Sequence, residues 1–350
     1  MSLTRISYQE LISNPNLVMK IKEAFGENSL GAILITDIPE FKQMKMKLLH
    51  LSKKMGELPE PIQSEYEDEN SLYAFGWSRG KEKMKGGKPD FAKGSYYANP
   101  ICDEPTKDKN LIKKYPTVYS PNIWPSKHLP TFESHFKFVG QFMYNVGLKV
   151  IKLCDDYLQV ELNGKIPKNY LSNMIKESNT PKARLLHYYE QPQEKKKELD
   201  GACGWHLDHG GLTVLTKAVY LNEHFEEVQE PDDCGLYIKD RHGNIHHGVI
   251  PENSLLCQIG EIFQVLSGGY LRATPHCVRS AALKGVTRET FPCFIDVNAE
   301  RDISLPKWSR DDVLETKGMT GLDIPKLTDR YEGCKTYCEF GTKTYQAYYK

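Results

Sequence analysis

The chain has 350 residues, enough for one large core with extensions or for two domains. Its 46 Lys and Arg balance 46 Asp and Glu, so the net charge is zero and no nucleic-acid partner is expected. Nine cysteines, odd in number and without CxxC pairs, fit free thiols in a reducing compartment; there is no signal-type N-terminus, and no apolar stretch approaches the ~18 residues of a membrane span. These features predict a soluble, cytoplasmic monomer or weak homo-oligomer with no membrane partner.

Along the chain, Tyr8 to Phe25 carries Leu11, Ile12, Leu17, Val18, Ile21 and Phe25 at broadly helical spacing, interrupted at Asn14-Pro15. Gly31 to Thr36 is a short β-branched run that reads as a buried strand, and Phe41 to Met55 returns to helical spacing. From Pro59 to about Pro125 periodicity fades, but Tyr66, Tyr73, Phe75, Trp77, Phe91, Tyr96 and Tyr97 argue against disorder. Within it, Lys93 to Pro100 is a candidate lid, with Tyr96 and Tyr97 as candidate substrate-pocket residues; the plainer reading is that these tyrosines pack the two halves of the chain together. From Ser126 the spacing of Phe132, Phe136, Val139, Met143, Val146, Val150 and Leu153 predicts a long amphipathic helix, its stripe packing on a sheet.

Beyond Pro181 come short apolar runs, Ala183–Leu186, Leu212–Leu215, Gly235–Ile238, Ser254–Ile259 and Phe291–Val297, separated by turn signals. Regular short strands of this kind predict an antiparallel sandwich or jelly roll. Gln191 to Asp200 reads as a solvated polar loop, and the chain ends in an aromatic helical segment. The expected divisions are 1–125, a helical and strand region with the aromatic loop; 126–180, the long helix and a linker; 181–300, the jelly-roll core; and 301–350, a helical extension. The fold class is α+β, mainly β.

The chemistry centres on Trp205-His206-Leu207-Asp208-His209-Gly210. On an extended strand His206 and Asp208 share a face, so an imidazole and a carboxylate point at one place. A second histidine from a distant strand would complete a 2-His-1-carboxylate site with open positions for Fe(II). His276, in Thr274-Pro275-His276-Cys277-Val278, is the candidate, although the chain holds eleven histidines and sequence separation alone does not choose among them. Downstream, Arg288 and Thr290 share a strand face in Arg288-Glu289-Thr290-Phe291-Pro292-Cys293-Phe294. A guanidinium and a hydroxyl projecting into a barrel are costly to bury unless an anion meets them. A dicarboxylate would do so, with the planar fork of Arg288 on its carboxylate.

In order and spacing these motifs resemble the plant-type, isopenicillin N synthase-like Fe(II)- and 2-oxoglutarate-dependent oxygenases. The segments Gly31–Pro39, Arg184-Leu-Leu-His-Tyr-Tyr189, Gly235-Leu236-Tyr237 and Ile259–Gly269 extend the similarity over roughly residues 30 to 300. The resemblance implies a double-stranded β-helix core with a helical N-terminal region and a long supporting helix. It implies His206, Asp208 and His276 as metal ligands, Arg288, Thr290 and Tyr189 as co-substrate residues, and a small-molecule substrate near Tyr96, Tyr97 and Phe294. Two departures stand out: Thr290 replaces the usual Ser, and His187 stands where many relatives carry Asn. The reaction implied uses O2 and decarboxylates 2-oxoglutarate to succinate while oxidising, most commonly hydroxylating, a substrate carbon. An iron oxidase that needs no 2-oxoglutarate and a non-catalytic small-molecule-binding protein on the same scaffold are the alternatives.

Overall fold

In the structure, a computed structural model, residues 2–14, 16–81, 89–192, 194, 199, 201–316 and 318–348 are described. Most of the polar loop expected at Gln191–Asp200 therefore lies outside the described residues. Fifteen strands are found among them: β1 (Thr4–Ser7), β2 (Ala32–Thr36), β3 (Gly76–Arg79), β4 (Lys93–Ala98), β5 (Lys182–Tyr188), β6 (Cys203–His206), β7 (Leu212–Thr216), β8 (Val219–Leu221), β9 (Glu227–Val228), β10 (Gly235–Lys239), β11 (Ile245–His247), β12 (Leu255–Ile259), β13 (His276–Arg279), β14 (Thr287–Thr290) and β15 (Pro292–Ile295).

They form two sheets. The larger runs β1-β2-β12-β7-β15-β5-β14-β8-β9, with β4 also paired along β5 and β3 along β4; the smaller runs β11-β10-β13-β6. Apart from the parallel pair of β1 and β2, the pairings are antiparallel. This is the double-stranded β-helix that the sequence predicts, built by strands that alternate between an outer face on the helices and an inner face toward the opposite sheet.

The helix Phe132–Glu161 covers the outer face of the larger sheet. Its Phe132, Phe136, Val139, Met143, Val146 and Val150 share a core with Leu212, Val214, Phe291, Cys293 and Ile295. It begins at Phe132, six residues beyond the expected Ser126, because the chain first turns between Pro125 and Leu129. Gly140 and Gly147 let it approach closely: a Cβ at Gly147 would collide with Ile295 Cδ1, and one at Gly140 with Pro100. A second helix, Phe41–Glu57, lies over β5 and β14.

Two expectations change. The aromatic region is not an open loop, since it supplies β3 and β4 and three short helices at Glu60–Ser64, Lys109–Lys114 and Pro116–Tyr119. The candidate lid Lys93–Pro100 is for the most part β4, paired along β5 from Lys93↔Tyr188 to Ala98↔Ala183. Because β1 to β4 join the same sheet as the core strands, position 125 is no boundary within that sheet. Among the described residues no helix is long and apolar enough to cross a membrane.

Candidate active site

The antiparallel pairing of β6 with β13 sets His206 directly opposite His276. Their rings lie 4.2 Å apart between centroids. Asp208 follows two residues later, where the chain leaves β6 to enter β7. Its Oδ1 is 3.8 Å from His206 Nε2 and 3.9 Å from His276 Nε2. One ligand atom from each of the three lies within 4.8 Å of the others, the one such group of His, Cys, Asp or Glu found among the described residues.

Their partners fix which atoms face inward. His206 Nδ1 lies 2.7 Å from the Gly204 carbonyl and His276 Nδ1 3.2 Å from that of Thr274. A carbonyl only accepts, so each Nδ1 carries a proton and each Nε2 is turned toward Asp208. Asp208 Oδ2 accepts from Thr213 Oγ1 at 2.6 Å, leaving Oδ1 toward the histidines. Burial, with His206 adding to it, pushes His276 down to about 4. At His206 burial acts the same way but is outweighed by a Cys203 thiolate and Asp208, and the value rises to about 9. Burial is likewise outweighed at Asp208, where His276 and His206 hold the carboxyl below its usual range. Two neutral-capable imidazole nitrogens and a carboxylate oxygen, each oriented from behind, fit a divalent iron with open positions.

Arg288 and Thr290 project from the inner face of β14. Arg288 sits between Tyr188 on β5 and Tyr220 on β8, its guanidinium 5.1 Å from the centre of the Tyr188 ring. Its Nε and Nη1 are buried and have no hydrogen-bond partner. Thr290 Oγ1 is 3.5 Å from the Thr216 carbonyl, at the limit of a hydrogen bond. A cavity of about 460 Å³ opens beside Arg288, lined by Leu215, Tyr220, Leu236 and Val278 among others; the three candidate metal ligands are not part of its wall. Glu289, between Arg288 and Thr290, points to the outer face, where it meets His187 Nδ1 at 2.8 Å.

Other expected positions need correction. Tyr189 does not share a face with Arg288: its hydroxyl donates to the Gly56 carbonyl at 2.9 Å and its ring lies 3.8 Å from the Arg79 guanidinium, under the Phe41–Glu57 helix. Strand alternation gives that place to Tyr188. Tyr96 is fully buried on the outer face, packed with Trp124, Phe132 and Phe136 and bonded to the Ile123 carbonyl, so it belongs to the core and not to a substrate pocket. Tyr97, one residue on, takes the inner face, its ring 5.0 Å from the Arg184 guanidinium. Phe294 is also on the inner face, in register with Thr213, the residue that holds Asp208.

The sequence reading missed Thr213, Tyr188 and Tyr220, and also Lys182, which is in register with Phe294. The signal for Thr213 was present: a lone hydroxyl in an otherwise apolar Leu212–Leu215 run, five residues after Asp208. Burial lowers the Lys182 ammonium to about 8; it rests 4.4 Å from the Phe75 ring and donates to the Thr117 carbonyl.

Comparison with known proteins agrees with this geometry. Residues 181–297 match the model of the 2OG-Fe(II) oxygenase superfamily. An iron/ascorbate oxidoreductase of Dictyostelium discoideum is 22% identical over 303 residues, covering 79% of this chain and 78% of that one. Homoarginine-6-hydroxylase 2-ODD-233 of Oryza sativa subsp. japonica is 27% identical over 207 residues, covering 58% of this chain and 55% of its own length. In fold, the chain is similar to a full-length Neurospora crassa protein solved in complex with alpha-KG and thymine, with a TM-score of 0.69, 18% identity, and coverage of 99% and 97% of the two chains. Motif order and the family match show that residues 181–297 carry a 2OG-Fe(II) oxygenase domain, the domain of a 2-oxoglutarate-dependent dioxygenase.

Proposed function

We propose that the enzyme oxidises, most simply by hydroxylation, a carbon of a small organic substrate, with His206, Asp208 and His276 holding Fe(II) and Arg288 and Thr290 holding the far carboxylate of 2-oxoglutarate. The observation that carries this reading is the Arg288 guanidinium, whose buried Nε and Nη1 have no protein hydrogen-bond partner. Unmet buried guanidinium donors are costly, and a carboxylate is the anion that relieves them. When bound, the iron couples decarboxylation of 2-oxoglutarate by O2 to oxidation of the substrate.

The protein contributes placement. Thr213 keeps Asp208 from rotating, and the Gly204 and Thr274 carbonyls keep both Nε2 atoms inward. Tyr188 and Tyr220 flank the guanidinium on the neighbouring strands. The substrate belongs at the inner face near Tyr97 and Phe294. Homoarginine, named in the rice relative, and thymine, bound by the Neurospora protein, support a small-molecule substrate. Free thiols at all nine cysteines support a cytoplasmic enzyme.

The test is a library of small metabolites incubated with enzyme, Fe(II), 2-oxoglutarate and O2. Succinate above the substrate-free background, matched by an oxidised product, is expected for some member. Substrate oxidation by the iron-loaded enzyme that proceeds equally without 2-oxoglutarate would overturn the assignment of Arg288.

A further inference from the structure

The turn that carries Asp208 is held from behind by a segment some fifty residues downstream. The Asp208 carbonyl accepts the N–H of Glu261 at 2.8 Å, the Gly210 carbonyl that of Ile262 at 3.2 Å, and the Gly211 carbonyl that of Gly260 at 2.9 Å. The turn therefore lies across the start of the short helix Glu261–Leu266. The approach is so close that a Cβ at Gly260 would collide with the Gly210 carbonyl.

Glu261 is in turn gripped by Arg330, in the helix Leu327–Tyr331. Both side chains are buried, at 0% and 2% exposure. Their contact is two-pronged, Nη1 to Oε2 at 2.7 Å and Nη2 to Oε1 at 2.5 Å. Arg330 also donates to Thr344 Oγ1 at 3.0 Å and to the Pro325 carbonyl at 3.2 Å. From the helix Tyr337–Tyr348, the hydroxyl of Tyr348 accepts the N–H of Leu207 at 3.1 Å, between the two ligand residues themselves. A buried ion pair is weak evidence for stability, and its best-attested use is to fix one arrangement against others.

We propose that Arg330, Glu261 and Tyr348 are positioning residues for the metal site, so that docking of the Leu327–Tyr348 segment sets the affinity for the ion. This rests on the assignment of His206, Asp208 and His276 as metal ligands. The reason is geometric. Asp208 is on a turn and not in a strand, so no sheet partner fixes its backbone. The Glu261 N–H and the Tyr348 hydroxyl, on either side of the Leu207-Asp208 peptide, replace that partner. Removing outer partners of metal ligands commonly lowers metal affinity by about 10–100-fold.

The experiment titrates Mn(II), a probe that needs no O2 chemistry, into the metal-free full chain and reads free Mn(II) and the line shape of bound Mn(II) by EPR. Wild type, His206→Ala, Tyr348→Phe and Arg330→Lys are compared, with metal-free thermal midpoints measured in parallel. The expected result is a Kd about tenfold higher for Tyr348→Phe, with a broadened bound signal and a metal-free midpoint lowered by no more than the loss of one hydrogen bond, and a larger rise for Arg330→Lys. If Arg330→Lys does not fold, Tyr348→Phe alone decides. Wild-type affinity and line shape in Tyr348→Phe would overturn the proposal while leaving the ligand set intact. Wild type binding no better than His206→Ala would overturn the ligand set, and the proposal with it.

Discussion

Arg288 shows how much one side chain can say about a ligand. Its fork lies between two tyrosines with two donors unmet, and lysine at that position would keep the charge but lose the planar pair of donors. Arg288→Lys is expected to raise the KM for 2-oxoglutarate by roughly 10–100-fold, the equivalent of a charged hydrogen bond, with a smaller effect on kcat; initial-rate kinetics on succinate formation check it. Tyr189→Phe is the contrast: with its hydroxyl on Gly56 and not near Arg288, it should leave that KM unchanged and cost about 1 kcal/mol of stability in denaturant melts. The pairing of His206 with Asp208 was legible because alternate residues of a strand share a face. The choice between Tyr188 and Tyr189 was not, because it depends on the phase at which β5 meets β14, and two adjacent tyrosines offer the same chemistry in either phase.

At the scale of elements, the long helix was the plainest feature in the sequence, its period unbroken from Phe132 to Leu153. What periodicity could not show was how close it comes to the sheet. In an exposed helix, replacing Gly gains up to about 1 kcal/mol. Gly147, against Ile295 and Val214, should behave in the opposite sense, and Gly147→Leu is expected to lose about 1–3 kcal/mol by overpacking, read from the urea midpoint.

The Phe41–Glu57 helix carries a different strain. Lys45 is 1% exposed, 3.6 Å from Glu252, and burial lowers it to about 8 from 10.5. Between those two pH values the unfolded chain binds the proton that the folded chain releases, so stability rises with pH across this window. Lys45→Met should therefore melt higher than wild type at pH 7, by up to about 3 kcal/mol in stability, and the gap should close as pH climbs from 8 to 10.5. By contrast β3 and β4 were hidden in the sequence. Their apolar residues face the core on one side only, and their partner, β5, lies over eighty residues downstream of β4.

For the whole molecule, the regular short strands were enough to reach an antiparallel jelly roll. The sorting of strands into two sheets was not, because each sheet draws strands from distant parts of the chain. That sorting matters for the site. Both histidines belong to the smaller sheet, while Arg288 and Thr290 belong to the larger one, and Asp208 lies on the crossing between them. A ligand that engages the metal at one end and Arg288 at the other is thus a removable cross-link between two walls that no disulfide joins. Metal alone should slow amide exchange in β6 and β13 only. Metal with 2-oxoglutarate should also slow it in β5, β8 and β14. Exchange measured by mass spectrometry reads this directly, and uniform protection by metal alone would count against it. Seen this way, a co-substrate held at both walls would also be the clasp that closes the barrel.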